Sequence, residues 1–82
     1  MSRRTRIPNV GIVDVRLSTT KGKISAIRFY GDYFGQKDIS YLEKNLLNQP
    51  FIYEAIKEVL RDINVSDYIF RFSNKDLLSL LF

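Results

Sequence analysis

The fold is decided by the stretch Val13–Tyr30, which reads VDVRLSTTKGKISAIRFY. Apolar and polar residues alternate from Val13, so Val13, Val15 and Leu17 share one face, as in a half-buried β-strand. The segment Thr19–Gly22 follows and supplies a turn, in which glycine accommodates a positive φ. A second strand-like run then completes the stretch, which therefore predicts a β-hairpin.

The second strand of this hairpin, Lys23–Tyr30, is rich in β-branched and aromatic residues. Ile27 and Phe29 should face the same side, but Ile24 is out of phase with them. The sequence leaves two explanations open. Either a bulge lies near Ser25-Ala26, or Ile24 covers an edge of the sheet.

Beyond the hairpin the apolar period becomes helical, and three helices are predicted. The first follows Asp38 or Ser40, either of which is a plausible N-cap, and Ser40 with Glu43 would form a capping box. The second is expected after Pro50, and the third begins at Ser73, with Asp76 at its third helical position. The apolar positions that define the three are Ile39, Leu42, Leu46 and Leu47; Ile52, Ala55, Ile56, Val59, Leu60 and Ile63; and Leu77, Leu78, Leu80, Leu81 and Phe82.

The predicted fold class is α+β, because a two-stranded hairpin is marginal alone and needs helices on its apolar face. We expect a small antiparallel sheet covered on one face by three helices. Residues 65–70 fit a short third strand or an ordered loop equally well. Residues 1–9 lack periodicity and end in a Pro-Asn turn, so we interpret 1–9 as a basic tether and 10–82 as the domain.

The composition limits the chemistry of the chain. It has 82 residues, 45% of them apolar, and neither cysteine nor histidine. Disulfides, thiolate metal sites and a cysteine nucleophile are excluded, and so is the commonest general base near neutral pH. We therefore expect no catalytic residue, no metal ligand and no cofactor in this chain.

The net charge of +4 is unevenly distributed, since residues 1–30 hold seven basic residues against one acid. A basic front half is typical of contacts to phosphates or to an acidic protein, and the alternative is a solvated surface. No apolar run approaches the roughly 20 residues that span a bilayer. The N-terminus also lacks the apolar stretch of a signal peptide, so we expect no membrane partner and a cytoplasmic location.

A turn of unusual composition, Gly31-Asp32-Tyr33-Phe34-Gly35, joins the second strand to the first helix. One interpretation is a small-molecule or partner contact made by exposed amides and rings. The other is a strand-to-helix corner whose aromatics fill the core. It does not match a Walker phosphate loop, because Gly35 is followed by Gln36 rather than by Lys-Ser or Lys-Thr. Asp32 and Asp38 are better explained as turn former and helix cap than as an acid/base pair.

The stretch Ile24–Leu47 resembles the C-terminal domain of bacterial lipoate–protein ligases. That family has a strand ending in a Gly-Asp-aromatic-Phe-Gly turn, followed by Asp-Ile and by a Leu-Glu pair on the next helix. The resemblance continues to the end of the chain and, upstream, to Gly11–Val15. The matching positions are Gly31, Asp32, Tyr33, Phe34, Gly35, Asp38, Ile39, Leu42 and Glu43, then Tyr53–Ile56 and Ser66–Tyr68.

The resemblance implies an accessory or lid domain without catalytic residues of its own. Members of the family activate lipoate with ATP and Mg to form lipoyl-adenylate, then transfer lipoyl to a lysine of an acceptor domain. The implied partners are a large catalytic domain and, transiently, lipoyl-acceptor domains. The same small fold is similar to iron–sulfur scaffold proteins, whose chemistry the absence of cysteine argues against.

Two sets of site residues follow as hypotheses. The turn Gly31–Gly35 with Asp38 would form an inter-domain contact, and Arg3, Arg4 and Arg6 would form a basic junction near adenylate or pyrophosphate. The second interpretation of the chain is a nucleic-acid or acidic-protein binding module that uses the basic hairpin. A lid should leave an apolar patch uncovered near Tyr33 and Phe34 or the C-terminal leucines, whereas a nucleic-acid module should show a continuous basic face.

Overall fold

The computed structural model describes all residues, 1–82, and shows a three-stranded antiparallel sheet packed against three helices. This confirms the predicted α+β class. The strands are β1 (Ser2–Ile7), β2 (Gly11–Thr20) and β3 (Lys23–Asp32), in the spatial order β1-β2-β3. The helices are α1 (Ile39–Leu46), α2 (Tyr53–Leu60) and α3 (Asn74–Leu81), with a single 3-10 turn at Val65–Asp67. No helix is both long and apolar enough to cross a bilayer.

The hairpin of β2 and β3 forms as predicted, and its bulge explains the position of Ile24. Ser18 pairs with Ala26 and Thr19 pairs with Ile24, so Ser25 has no partner across the hairpin. One extra residue reverses the alternation of side chains. Ile24 is thereby brought to the helix-facing side, where it is fully buried.

The core lies between one face of the sheet and the three helices. Because β2 and β3 alternate in polarity, one face of each strand is apolar and packs on the helices. Seventeen buried residues form a single cluster. The strands contribute Val13, Val15, Leu17, Ile24, Ile27 and Phe29, and the rest come from the helices and from Val65, Tyr68, Ile69 and Phe72.

The prediction of a tether at residues 1–9 is wrong in its local structure. Ser2–Ile7 form β1, which pairs with β2 in the register Ser2↔Arg16 to Ile7↔Gly11. The strand lies at the edge of the sheet, with only Thr5 and Ile7 partly buried. Its sequence therefore does not need the apolar alternation by which a half-buried strand is recognised.

The third strand of the sheet is thus β1, and residues 65–70 do not form a strand. Asn64 begins the 3-10 turn, its side chain accepting the Ser66 N–H at 3.2 Å. Tyr68 and Ile69 follow the turn and are buried in the core. Of the two alternatives, the ordered loop is correct.

The helix caps were largely predictable from sequence. Asp38, rather than Ser40, caps α1 by accepting the Ser40 N–H at 2.9 Å. The proposed Ser40–Glu43 capping box is absent, because the Glu43 carboxylate turns toward the sheet. The capping box of Ser73 and Asp76 at α3 is present as predicted.

Glu43 and the segment after α1 cover the outer edge of β3. The Phe29 N–H donates to Glu43 Oε2 at 2.8 Å, and Arg28 contacts the other carboxylate oxygen at 3.5 Å. Farther along, the Ile24 N–H donates to the Gln49 carbonyl at 2.9 Å, and Asn48 N–H donates back to the Ile24 carbonyl at 2.8 Å. The Ile24 backbone and the Phe29 N–H on this edge are therefore bonded within the domain.

Candidate functional site

The two glycines of the turn allow close contacts between backbones. A Cβ on Gly31, whose φ is +138°, would lie 2.0 Å from the Ile12 carbonyl oxygen. A Cβ on Gly35 would lie 1.9 Å from the Tyr68 carbonyl oxygen. Both distances are far below van der Waals contact, so each glycine lets its own backbone pack against a neighbouring segment. The role of the two glycines is therefore to permit these close backbone contacts at the strand-to-helix corner.

The loop that follows β3 is held against residues 67–70 by four polar contacts. The Phe70 N–H donates to the Phe34 carbonyl at 2.6 Å, and the N–H groups of Gln36 and Lys37 both donate to the Asp67 carbonyl at 2.9 Å. The Lys37 ammonium lies 3.4 Å from the Asp67 carboxylate. With its backbone fixed on both sides, the loop presents its side chains in a defined position.

The two aromatic residues of the turn separate. Tyr33 is partly buried and packs against the core, and burial, together with the negative charge of Glu43, raises the pKa of its phenol. Phe34 points away and is 85% exposed, beside Phe70, which is 50% exposed. Tyr33 thus packs on the core, whereas the Phe34 ring makes little contact with the rest of the domain. Of the residues named for an uncovered patch, Phe34 is the one that is exposed, whereas Leu77, Leu78 and Leu81 are buried and Leu80 is half-buried.

The two acids of the turn region have separate positions. Asp32 is exposed at the end of β3, and its carboxylate accepts no hydrogen bond. Asp38 is the N-cap of α1. Its hydrogen bond from the Ser40 backbone N–H holds the pKa of this carboxyl below its ordinary value of 3.8. The cap assignment of Asp38 is therefore confirmed. Asp32 was predicted as a turn former, but its carboxylate does not accept a hydrogen bond from the backbone amides of the turn.

We expect Asp38 to contribute stability that depends on pH. Its folded-state pKa is lowered, so the contribution is present above the unfolded-state pKa and is lost as the pH falls through the folded-state pKa. Urea unfolding of the parent chain and of Asp38→Ala should differ by a constant amount near neutral pH, and the difference should shrink below about pH 4. Asp62→Ala is the control, because that exposed carboxyl accepts no hydrogen bond, and a difference for Asp38→Ala that persists at the lowest pH would contradict the prediction.

The turn does not fit the phosphates of ATP. A phosphate loop requires free backbone N–H groups that converge on one point. Here the N–H groups of Gln36 and Lys37 converge on the Asp67 carbonyl and are already bonded. Nor does any group of three or more carboxylates lie together where it would hold a metal ion such as Mg. The arrangement suits contact with a protein surface rather than with a nucleotide.

The three arginines predicted as a basic junction lie on two faces of the sheet. Arg3 pairs with Val15 and shares its helix-facing side, whereas Arg4 and Arg6 lie on the open face. Arg6 pairs with Ile12, which pairs with Asp32, so these three residues form one row across the open face. Only Arg6 is therefore brought near the turn.

Sequence reasoning missed Phe70 and assigned Glu43 a different role, that of a capping-box partner. Phe70 lies in a segment without clear periodicity, and its exposure depends on the turn at residues 65–67. Glu43 occupies a position in the helix pattern that would ordinarily be solvated, yet it is buried against β3. An acidic residue between Leu42 and Leu46, on the predicted apolar side of the helix, was the available signal.

Comparison with known proteins identifies the family. The model of the family described as "Bacterial lipoate protein ligase C-terminus" matches residues 1–81. The chain belongs to this family. The match begins at residue 1 and so includes β1, in agreement with the structure.

The chain is also similar to curated proteins that are named as lipoate–protein ligases. The chain is similar to lipoate-protein ligase LplJ of Bacillus subtilis, with 33% identity over 73 residues, 89% of this chain and 22% of that protein. It is 36% identical over 72 residues to a lipoate–protein ligase of Streptococcus pyogenes, covering 88% of this chain and 21% of the relative. A probable lipoate-protein ligase A of Mycoplasma pneumoniae is 26% identical over 80 residues. The chain spans about a fifth of the length of these relatives.

Proposed function

We propose that this chain acts as the accessory domain of a lipoate–protein ligase and docks on a larger catalytic domain. The larger domain would use ATP, Mg and lipoate to form lipoyl-adenylate and would transfer lipoyl to a lysine of an acceptor domain. The family match over residues 1–81 supports this assignment. So does the composition, since neither cysteine nor histidine is present and the turn does not fit a nucleotide.

The Phe34 surface, which comprises Phe34, Lys37, Phe70 and Arg71, is the docking surface in this proposal. The observation that carries it is the 85% exposure of Phe34 on a loop whose backbone is bonded on both sides. An exposed aromatic ring that is already positioned loses little conformational freedom on binding, and such residues supply much of the binding energy of interfaces. Lys37 and Arg71 lie at its rim, with the Arg71 guanidinium 5.2 Å from the Phe70 ring centroid.

The open face of the sheet does not form the continuous basic face expected of a nucleic-acid module. Asp14 lies at its centre, between Arg4 on β1 and Tyr30 on β3. Arg16 is paired with Asp14 at 3.3 Å, and Arg28 with Glu43 at 3.5 Å. The Asp14 carboxylate is buried beneath this face and offsets part of its positive charge, so the face attracts a phosphate backbone less strongly, which favours a protein partner.

The decisive experiment measures lipoyl-adenylate formation by the catalytic domain of a relative, with and without this chain added in trans. If the chain is the accessory domain, the rate should rise when it is added and should saturate with its concentration. An unchanged rate, together with no detectable binding between the two proteins, would contradict the proposal.

Phe34→Ala tests the docking surface within that experiment. We expect the variant to fold normally, because the ring is exposed, and to bind the catalytic domain roughly 30-fold more weakly, as for an interface hot spot. Ile52→Ala is the matched control, since Ile52 is also a large apolar residue, 60% exposed, near the opposite end of the sheet. Equal losses for the two variants would mean that Phe34 has no special part in docking.

A further inference from the structure

The two edges of the sheet differ in how their backbone groups are used. The outer edge of β3 is partly covered, by Glu43 at Phe29 and by residues 48–50 at Lys23 and Ile24. On the other edge, Met1 and Leu17 exchange two hydrogen bonds, of 2.8 and 2.9 Å. Antiparallel pairs alternate between bonded and non-bonded, so the N–H and C=O groups of Ser2, Arg4 and Arg6 point away from β2. β1 is therefore a six-residue edge strand with one free edge.

A groove runs between β1 and α3 beside this edge. It has a volume of about 480 Å³. Thr5 and Ile7 from β1 line one wall, and Leu80 and Phe82 line the other. The groove thus combines apolar walls for side chains with a neighbouring row of free backbone donors and acceptors. An edge strand beside a groove is the geometry in which an extended peptide adds to a sheet.

The charge of this region is positive and unpaired. Arg3, Arg4 and Arg6 make no ion pair, whereas Arg16, Arg28 and Arg61 each contact a carboxylate. Asp76 is the acidic residue that lines the groove, and its carboxylate already accepts the Ser73 N–H in the capping box. Arg4 and Arg6 lie on the same face of β1, and their free guanidinium groups match an extended segment that carries carboxylates at alternate positions.

We propose that the β1–α3 groove binds an extended acidic segment of a partner protein, which adds to the sheet as a fourth strand beside β1. A nucleic acid would leave the free carbonyl groups of Ser2, Arg4 and Arg6 without donors. A second copy of the chain would bring three more arginines alongside these, and like charges on neighbouring strands are unfavourable. The proposal does not depend on the ligase assay, because the groove shares no residue with the Phe34 surface.

The test uses this chain and an end-blocked hexapeptide of alternating glutamate and valine, with a lysine–valine peptide as control. Fluorescence polarisation should show saturable binding of the acidic peptide only, weakening as salt is added. Amide hydrogen exchange should slow at Ser2, Arg4 and Arg6 when the peptide is bound. No saturable binding, or protection elsewhere on the domain, would overturn the proposal.

Two variants separate backbone pairing from charge. Arg4→Gln removes the charge alone, whereas Arg4→Pro also removes an N–H that points outward, and proline is tolerated at such an edge position. We expect Arg4→Pro to bind about tenfold more weakly than Arg4→Gln, and the control Arg61→Gln to bind like the parent chain. Equal binding by Arg4→Pro and Arg4→Gln would overturn strand addition.

Modifying the peptide also separates backbone pairing from charge, and it leaves the protein unaltered. N-methylation of alternate peptide groups, on the edge that would face β1, should abolish binding, because it removes the donors. Methylation of the other set should leave binding unchanged. Binding that survives both modifications would show that charge alone is recognised, and the proposal would be wrong.

Discussion

Replacing Phe72 by alanine is expected to lower the free energy of unfolding by about 4 kcal/mol, as for other large-to-small changes at buried phenylalanine. Phe72 is fully buried and is the largest fully buried side chain of the domain. A chain of this length has a total stability of roughly 4–12 kcal/mol. The variant should therefore be close to unfolding, and its thermal midpoint should fall by about 20 °C.

Phe70→Ala is the matched control for this experiment. Phe70 lies two residues earlier but is 50% exposed, so its loss should cost about 1 kcal/mol or less. Thermal unfolding followed by circular dichroism distinguishes the two variants. Similar midpoints for Phe70→Ala and Phe72→Ala would mean that the core is not arranged as described.

Gly31→Ala should strongly destabilise the domain although it adds only one methyl group. The new Cβ would meet the Ile12 carbonyl oxygen at 2.0 Å, and the φ of +138° is one that L-residues rarely adopt. Because the contact is with backbone, β2 and β3 must separate locally to relieve it. We expect a loss of about 3 kcal/mol in the free energy of unfolding, measured by urea titration.

Gly22→Ala separates the two causes of this loss. Gly22 also has a positive φ, +77°, but nothing lies within 4 Å of the position of its Cβ. Only the conformational cost remains, about 1 kcal/mol. If Gly31→Ala lowers the free energy of unfolding by no more than Gly22→Ala does, the predicted clash with the Ile12 carbonyl oxygen does not occur.

The parts of the fold that were predictable are those encoded locally. The alternation Val13, Val15, Leu17 predicts the hairpin, because a strand with one buried face must alternate. The out-of-phase Ile24 indicates either a bulge or an edge position, and the structure shows the bulge. The Ser73–Asp76 capping box is likewise a local pattern, since both partners lie within one helical turn.

The parts that were missed depend on partners distant in sequence. β1 is a strand because β2 offers it backbone groups, and its own residues, largely exposed, carry no apolar period. Phe34 is exposed because the Asp67–Phe70 segment holds the backbone of its loop, a contact across more than thirty positions. The site was therefore predictable as a turn, but the direction of each aromatic ring was not.

Glu43 has a consequence for how molecules of this domain can associate. By accepting the Phe29 N–H, it occupies a backbone donor that a strand adding at the outer edge of β3 would need. A polymer of sheets requires that each molecule offer two complementary edges, one for each neighbour. Growth through the β3 edge would have to displace the Glu43 carboxylate from the Phe29 N–H, which disfavours a fibril built on this sheet.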